Sequence, residues 1–132
     1  MSNREESAAG AVLYAKDMER VAAFYSEVVG LQRVDRDEKH VVLESRGFQL
    51  VVLRIPSAIA STIEIAVPPV RRSEAAVKLV FFVPSIHEVR VSAGSAGGAL
   101  NAPDKEWSFD GYTVCDGVDP EGNVIQLREH IG

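Results

Sequence analysis

Cysteine, long apolar runs and basic residues are all scarce in this sequence of 132 residues. Cys115 is the only cysteine, which excludes an internal disulfide and a metal site built from several cysteines. No stretch approaches the roughly 20 apolar residues of a membrane-spanning helix. The first seven residues are too short and too polar to resemble a secretory signal. We therefore expect a cytoplasmic protein without a membrane segment.

The charge balance is acidic, with 14 Lys and Arg against 19 Asp and Glu and a net charge of −5. Such a surface repels phosphate backbones and anionic lipids, so neither nucleic acid nor a membrane is an expected partner. Hydrophobic residues make up 46% of the chain and charged residues 25%, which is an ordinary balance for one folded domain of this length.

The first half of the chain changes its apolar period twice. Residues 8–15 predict a strand of small and apolar side chains. Apolar residues then recur at three- and four-residue spacing, which predicts a helix capped by Asp17 and ended by Gly30. Three strands rich in Val and Leu follow, at residues 31–35, 40–44 and 48–55.

The second half repeats the same order of elements. A strand at 77–83 leads into a helix that opens at Pro84-Ser85, because proline is tolerated in the first helical turn. Three further extended segments follow, at residues 98–102, 112–117 and 124–129. A turn at 119–123, which contains proline and glycine, joins the last two.

This repeated order predicts an α+β fold of two tandem β-α-β-β-β units, at 8–55 and 77–130, in a single domain of residues 1–132. Residues 56–76 are the connector, within which we expect one small strand at 64–67. The curved sheets of two such units can enclose a cleft, and the function is expected to lie there.

Two motifs resemble those of a known family. YAKDMERVAAFYSEVVGL, at residues 14–31, is similar to the strand, helix-starting Asp, Phe-Tyr pair and Gly-Leu exit of the vicinal-oxygen-chelate superfamily. This superfamily groups glyoxalases, bleomycin-resistance proteins and extradiol dioxygenases. DGVDPEGNVIQL, at residues 116–127, resembles its Asp-Pro-Glu-Gly-Asn turn and final strand. Because both motifs lie inside the duplicated order, the resemblance covers nearly the whole chain and implies the fold of that family.

The resemblance also implies where a metal ion would be held, since family enzymes bind one divalent ion with His and Glu side chains on four strands. The matching positions are Gly10, Val51 or Leu53, Lys78 and Gln126. Glycine and aliphatic side chains have no donor atom, lysine brings a cation, and the glutamine amide is a weak ligand. We therefore expect neither a metal ion nor another cofactor.

The three histidines and the glycine-rich segment suggest no other chemistry. His40, His87 and His130 lie beside a charged hairpin, on a predicted helix surface and near the carboxyl end, so each is interpreted as a surface residue. The segment GSAGG at residues 94–98 follows a helix and does not open one, which excludes it as a phosphate-binding loop.

Alternation along the strands predicts which side chains line the cleft. Residues of the same parity as Lys78 and Gln126 would face it, whereas their neighbours are uniformly apolar and would form the core. The candidate binding residues are Tyr14, Lys78, Phe82, Trp107, Gln126 and Arg128. Ordinary packing is the alternative for the aromatic side chains, with a partner interface for Trp107. Lys78 is either a strand-end lysine that reaches solvent or a cation that neutralises an anionic ligand.

Three classes of function fit these observations. Resemblance to the bleomycin-resistance branch implies metal-independent binding of a small molecule, with two chains paired as a homodimer. The alternative is an enzyme of the same superfamily, of the lyase, isomerase or dioxygenase type, with a displaced or substituted active site. An interaction module without a ligand is the third. The sequence leaves open the identity of the ligand and whether a reaction is catalysed.

Overall fold

A computed structural model describes residues 6–132, which form two compact units, the first ending at Glu64 and the second beginning at Ile65. Each unit contains one mixed β-sheet with a helix packed on one face. This is the predicted α+β fold with a duplicated order of elements. No helix in the described part of the chain is long and apolar enough to cross a membrane.

The first unit consists of a strand, a helix and three further strands. Its strands are β1 (Ala9–Ala15), β2 (Gln32–Arg36), β3 (His40–Ser45) and β4 (Phe48–Arg54). They form a sheet in the order β1-β4-β3-β2, in which β1 is parallel to β4 and the other neighbours are antiparallel. The predicted strands agree with these to within one residue at each end.

Helix α1 (Met18–Ala23) begins as predicted, because Oδ1 of Asp17 accepts a hydrogen bond from the Arg20 amide at 3.2 Å. The sequence predicts one uniform α-helix to Val29, but residues Phe24–Val28 instead form a π-helical turn. A π-helix has more residues per turn, so adjacent side chains diverge less and both Phe24 and Tyr25 reach the core. Their rings meet edge to face with centroids 5.3 Å apart.

The second unit has the same topology. Its strands are β5 (Leu79–Phe82), β6 (Ala99–Leu100), β7 (Trp107–Phe109), β8 (Tyr112–Val118) and β9 (Val124–His130). The order is β5-β9-β8, and β6 and β7 pair with successive parts of the remaining edge of β8. As in the first unit, the first strand is parallel to the last.

The α-helices that follow β4 and β5 differ in size. A single-turn helix, α2 (Ser57–Ala60), lies in the predicted connector. Helix α3 (Ile86–Ser95) packs against the second sheet, and Ser85 Oγ caps it by accepting from the Glu88 amide at 3.1 Å. The glutamate at 129 adds a second cap, because its Oε1 accepts from the Ile86 amide at 2.6 Å.

Three predictions about this half of the chain are wrong in detail. Residues 64–67 form no strand, because Pro68 and Pro69 offer no amide and no neighbouring strand pairs with the segment. Strand β5 begins at Leu79, so Lys78 precedes the strand that was predicted to contain it. The short strand β7 lies between the extended segments predicted at 98–102 and 112–117, where the sequence predicts no strand.

The turn at residues 119–123 explains part of the sequence motif that it carries. The Asp119 carboxylate accepts hydrogen bonds from two backbone amides within the turn, at 2.9 and 3.0 Å. The Arg72 amide donates to the carbonyl oxygen of Gly122 at 2.9 Å and so fixes the connector against the turn. Gly122 has φ +86°, and a Cβ atom there would lie 2.0 Å from the carbonyl oxygen of Val70. Glycine is therefore required twice, once for its backbone angle and once for the close approach.

Candidate functional site

Burial alternates along β5, the first strand of the second sheet. On β5, Phe81 is 6% exposed and lies in the core, whereas Phe82 is 61% exposed. On β9, Ile125 and Leu127 are buried in the same core beneath α3. Because successive side chains of a strand point to opposite faces, Phe82 lies on the face turned away from α3. We call this face of the second sheet the distal face.

The cross-strand register arranges the distal face in rows. The rows are Asp116-Gln126-Val80, then Trp107-Val114-Arg128-Phe82, then Phe109-Tyr112-His130. Directly opposed residues share a face, so four candidate binding residues lie together on this one: Phe82, Trp107, Gln126 and Arg128. A fifth candidate, Lys78, reaches the same rows through its side chain.

A chain of hydrogen bonds links Lys78 to Arg128 across the distal face. Lys78 Nζ donates to Asp116 Oδ2 at 2.8 Å, and Gln126 Nε2 donates to the other oxygen, Asp116 Oδ1, at 3.2 Å. Arg128 Nε donates to Gln126 Oε1 at 2.9 Å. Both carboxylate oxygens and both polar atoms of the amide are thus engaged, which fixes the orientation of each side chain. We call these four residues the polar chain.

The guanidinium group of Arg128 lies close to two aromatic rings. Its Cζ atom is 5.8 Å from the ring centroid of Phe82 and 5.1 Å from that of Phe109. Both distances fall in the range of favourable cation–π contact. Tyr112 extends the aromatic surface, since its ring meets Phe82 edge to face at 5.0 Å and His130 at 5.5 Å. Trp107, directly across β8 from Arg128, is 42% exposed beside them.

Positive charge predominates in this cluster although the whole chain is acidic. Arg71 also approaches the polar chain, with Nη2 at 3.8 Å from Asp116 Oδ2, and it donates through Nη1 to Asn101 Oδ1 at 3.2 Å. Two cationic side chains, those of Arg71 and Lys78, therefore approach the carboxylate of Asp116 directly, and a third, that of Arg128, is linked to it through Gln126. The side chain of Asp116 is only 13% exposed, so these interactions are less screened than ordinary surface pairs.

The positions on the first sheet that match the metal ligands of the family do not fit a metal ion. Gly10 has no donor, and a Cβ atom there would lie 2.6 Å from the carbonyl oxygen of Gln49, so the adjoining strand leaves no room for a ligand side chain. Val51 and Leu53 are aliphatic and lie beside β1 in parallel register. Tyr14, the remaining candidate binding residue, is paired with Leu53 and is 63% exposed on the face of this sheet turned away from α1.

The matching positions in the second unit fit a metal no better. The ammonium group of Lys78 is ion-paired with Asp116, and the amide oxygen of Gln126, its one donor atom for a metal, already accepts from Arg128. Within residues 6–132, no group of three or more His, Cys, Asp or Glu side chains is placed to hold a metal ion. The donor set required by Zn²⁺ or a similar ion is therefore missing from the described part of the chain.

The histidines occupy the positions expected from the sequence. His87 is exposed on α3, and His130 is exposed at the end of β9. His40 is partly exposed between two carboxylates, with ring nitrogens 3.4 Å from Asp35 and 3.2 Å from Asp37. None of the three takes part in the polar chain.

Asp116 and Phe109 belong to the cluster but have no site role in the sequence predictions. The turn at 119–123 fixes the hairpin register, which brings Asp116 opposite Gln126, so counting outward from the turn would have found it. Asp110 and Gly111 have φ of 52° and 82°, as a two-residue hairpin turn of the primed type requires. An Asp-Gly pair is the strongest short hairpin signal, and it brings Phe109 opposite Tyr112.

A partly buried ion pair on the opposite side of the sheet supports the β7 segment. Arg90 of α3 donates through Nη2 to Glu106 Oε2 and through Nε to the carbonyl oxygen of Asn101 at 3.1 Å. Burial acts to lower the pKa of Arg90, but the hydrogen bonds and electrostatic attraction from Glu106 and Cys115 together outweigh it, so the pKa is raised. Nearby, burial raises the pKa of the Cys115 thiol, and the attraction of Arg90 opposes this in part. The pair fixes the residue that immediately precedes Trp107.

Solved structures with this fold come from several sources. A glyoxalase/bleomycin resistance protein/dioxygenase family enzyme from Burkholderia phytofirmans PsJN has a TM-score of 0.68 at 17% identity, over 95% of this chain and 99% of that one. A bleomycin resistance determinant encoded on transposon Tn5 has a TM-score of 0.58 at 20% identity, over 92% and 95%. TnmS3, an antibiotic binding protein from Streptomyces sp. CB03234, has a TM-score of 0.60 at 18% identity, over 98% and 99%. At such identities the likeness establishes the fold alone.

Sequence comparison is informative at the level of the family. No curated protein matches the chain significantly. The family model described as a glyoxalase-like domain, however, matches residues 10–128, which include both sequence motifs in full. The chain therefore belongs to the glyoxalase-like domain family, within the vicinal-oxygen-chelate superfamily that the two motifs predicted.

Proposed function

We propose that this protein binds a small organic molecule against the distal face of its second sheet, without the help of a metal ion. One observation carries the proposal: two members of the polar chain, Lys78 and Gln126, stand at positions where metal-binding relatives would need ligand side chains. Its members are already bonded to one another, from Lys78 to Arg128. A metal ion would have to break these bonds and would meet two cations.

The aromatic surface beside the polar chain supports a ligand with a flat apolar part. Phe82, Trp107 and Phe109 are 61%, 42% and 55% exposed. Aromatic side chains of this size are costly to leave in water, and a binding site typically combines such surface with a few convergent polar groups. The polar groups here are the terminal nitrogens of Arg128 and the ammonium of Lys78.

The fold comparison supports the same class of function in a general way. Two proteins with this fold are described as a bleomycin resistance determinant and an antibiotic binding protein. One fold hosts many functions, however, so the argument rests on the side chains of the distal face. The pairing of two chains as a homodimer and a contact from Tyr14 also stay predictions, which sedimentation velocity and Tyr14→Ala would test.

Thermal-shift measurements on the full chain test the proposal. A panel of aromatic acids, amides and amines is screened in buffer with EDTA, and metal content is measured by mass spectrometry. A ligand present at 100 times its Kd should stabilise the native state by about 2.7 kcal/mol, because it binds only that state. Phe82→Ala should weaken the response, whereas Val91→Ala, an exposed apolar residue on α3, should leave it unchanged.

Two results would overturn the proposal. One is a stoichiometric divalent ion in the purified protein, or a ligand response that disappears in EDTA, which would favour the alternative of a metal-dependent enzyme. The other is a response that survives Phe82→Ala but is lost in the α3 variant, which would move the ligand away from the distal face.

A further inference from the structure

We infer that the ligand of the distal face is a planar aromatic anion, and that its anionic group pairs with the terminal nitrogens of Arg128. The inference rests on the proposed function and adds the charge and shape of the ligand.

The orientation of Arg128 is the first step. Its Nε is held by Gln126 Oε1 at 2.9 Å, and the rings of Phe82 and Phe109 approach its guanidinium. Neither Nη nitrogen has a hydrogen-bond partner among residues 6–132. A guanidinium offers its two outer nitrogens as a planar fork that matches a carboxylate or a similar anion. The side chain is thus held at one edge and available at the other.

The polar chain determines which end of the Gln126 amide faces Arg128. An ionised carboxylate only accepts hydrogen bonds, so Asp116 must receive the amide nitrogen of Gln126. The amide oxygen is then turned toward Arg128, whose Nε donates to it. Lys78 holds the second oxygen of Asp116 and keeps that carboxylate in place. Each member therefore helps to hold Arg128 by its Nε, which leaves its two Nη nitrogens available.

The sign of the ligand charge follows from the balance of groups. The only carboxylate in the polar chain, that of Asp116, is shared among Lys78, Gln126 and Arg71. An incoming cation would find no free carboxylate there and would be repelled by three positive side chains. An anion would be attracted, and the net charge of −5 makes this positive region a local feature of the fold and not a property of the whole surface.

The shape of the ligand follows from the rings around the guanidinium. Phe82 and Phe109 contact Arg128, while Trp107 lies in the same cross-strand row. A flat ring system can stack on these exposed side chains while its anionic substituent meets the fork. A compact inorganic anion would leave the aromatic surface in water and should bind much less tightly.

Isothermal titration calorimetry with three probes that share one ring system tests the inference. The probes are naphthylacetate, naphthylacetamide and naphthylmethylamine, which are anionic, neutral and cationic. We expect naphthylacetate to bind most tightly and its affinity to fall with added salt. Arg128→Gln should weaken naphthylacetate about 10- to 100-fold, as for loss of hydrogen bonds to a charged group, and change naphthylacetamide little. The control Arg54→Gln removes one positive charge from the exposed end of β4 and should have no effect.

Each other outcome has a defined meaning. Equal binding of the anion and the amide, with no effect of Arg128→Gln, would overturn the inference and leave the proposed function standing. Preference for the amine would overturn it outright. Failure of all three probes to bind would contradict both proposals. Arg128→Lys keeps the charge but loses the fork, so it should recover only part of the affinity; its melting temperature and that of Arg128→Gln show whether the fold is retained.

Discussion

Replacement of Gly122 by alanine should destabilise the protein far more than the same replacement at Gly111. Both glycines have a left-handed backbone, with φ of +86° and +82°, and alanine in that region costs about 1–2 kcal/mol. At Gly111 no atom lies within 4 Å of the added Cβ, so the backbone term is the whole cost. At Gly122 the new atom would lie 2.0 Å from the carbonyl oxygen of Val70.

Relief of that contact requires a large movement. Ordinary van der Waals contact begins at 3.4 Å, so the Val70 carbonyl would have to withdraw by about 1.4 Å, the difference between 3.4 and 2.0 Å. The withdrawal would break the hydrogen bond from the Arg72 amide to Gly122, now 2.9 Å long, at a cost of about 1 kcal/mol. With the backbone term, we expect Gly122→Ala to cost about 2–3 kcal/mol in total.

Urea titration followed by the fluorescence of Trp107, the single tryptophan, measures the free energy of unfolding of both variants. Gly111→Ala is the matched control, because it has the same backbone penalty without the clash. The reasoning fails if the two variants differ by less than about 0.5 kcal/mol, the usual size of effects at uncrowded sites. It also fails if Gly111→Ala is the more damaging of the two.

Three further predictions concern the polar groups. Glu106→Gln should lower the free energy of unfolding by about 1–2 kcal/mol, because it removes the negative charge from the partly buried pair with Arg90. An unchanged urea concentration at the midpoint of unfolding would contradict this. Burial raises the pKa of the Cys115 thiol, so its contribution to stability is complete below the ordinary thiol pKa of about 8.5 and is lost as pH rises above that value. Relative to Cys115→Ala, the free energy of unfolding should therefore fall as pH rises above about 8.5, and parallel curves for the two proteins would argue against it. In thermal unfolding, Asp116→Asn should lower stability by about 1–3 kcal/mol and Lys78→Met by less than about 1 kcal/mol. The Lys78 side chain is 39% exposed, so its ion pair is screened by solvent. The reverse order would exclude Asp116 as the centre of the polar chain.

Local signals account for the parts of the fold that the sequence predicts well. The Asp17 cap, the Gly30 helix stop and the turn at 119–123 each follow from the chemistry of one or two residues. The π-helical turn after Ala23 could not be predicted in this way, because it depends on how Phe24 and Tyr25 pack together in the core. A predicted strand likewise fails at 64–67, since a strand also needs a neighbour with which to pair.

In the candidate site, too, local patterns predict some residues and miss others. Parity along β5 and β9 was enough to select Phe82, Gln126 and Arg128 as residues of one face. Parity within one strand does not predict which residue lies opposite on the next strand. The place of Asp116 beside Gln126 therefore depends on the hairpin register, which parity does not give. The position of Phe109 on the distal face follows from the hairpin turn at Asp110-Gly111. Alternation cannot predict it, because β7 has only three residues.

The hydrogen-bonded amide of Gln126 has a consequence for changing what the protein recognises. An amide is a donor at one end and an acceptor at the other, so whatever stands at residue 116 decides which end is shown to residue 128. A donor in place of Asp116 would turn the amide around and present its NH₂ group, which Arg128 could not use but an acidic side chain could. Paired exchanges at 116 and 128 would then invert the preferred ligand charge while the surrounding rings stayed as they are. The ligand charge that this site prefers can therefore be changed through Gln126, a side chain that lies next to the binding residue and touches no ligand itself.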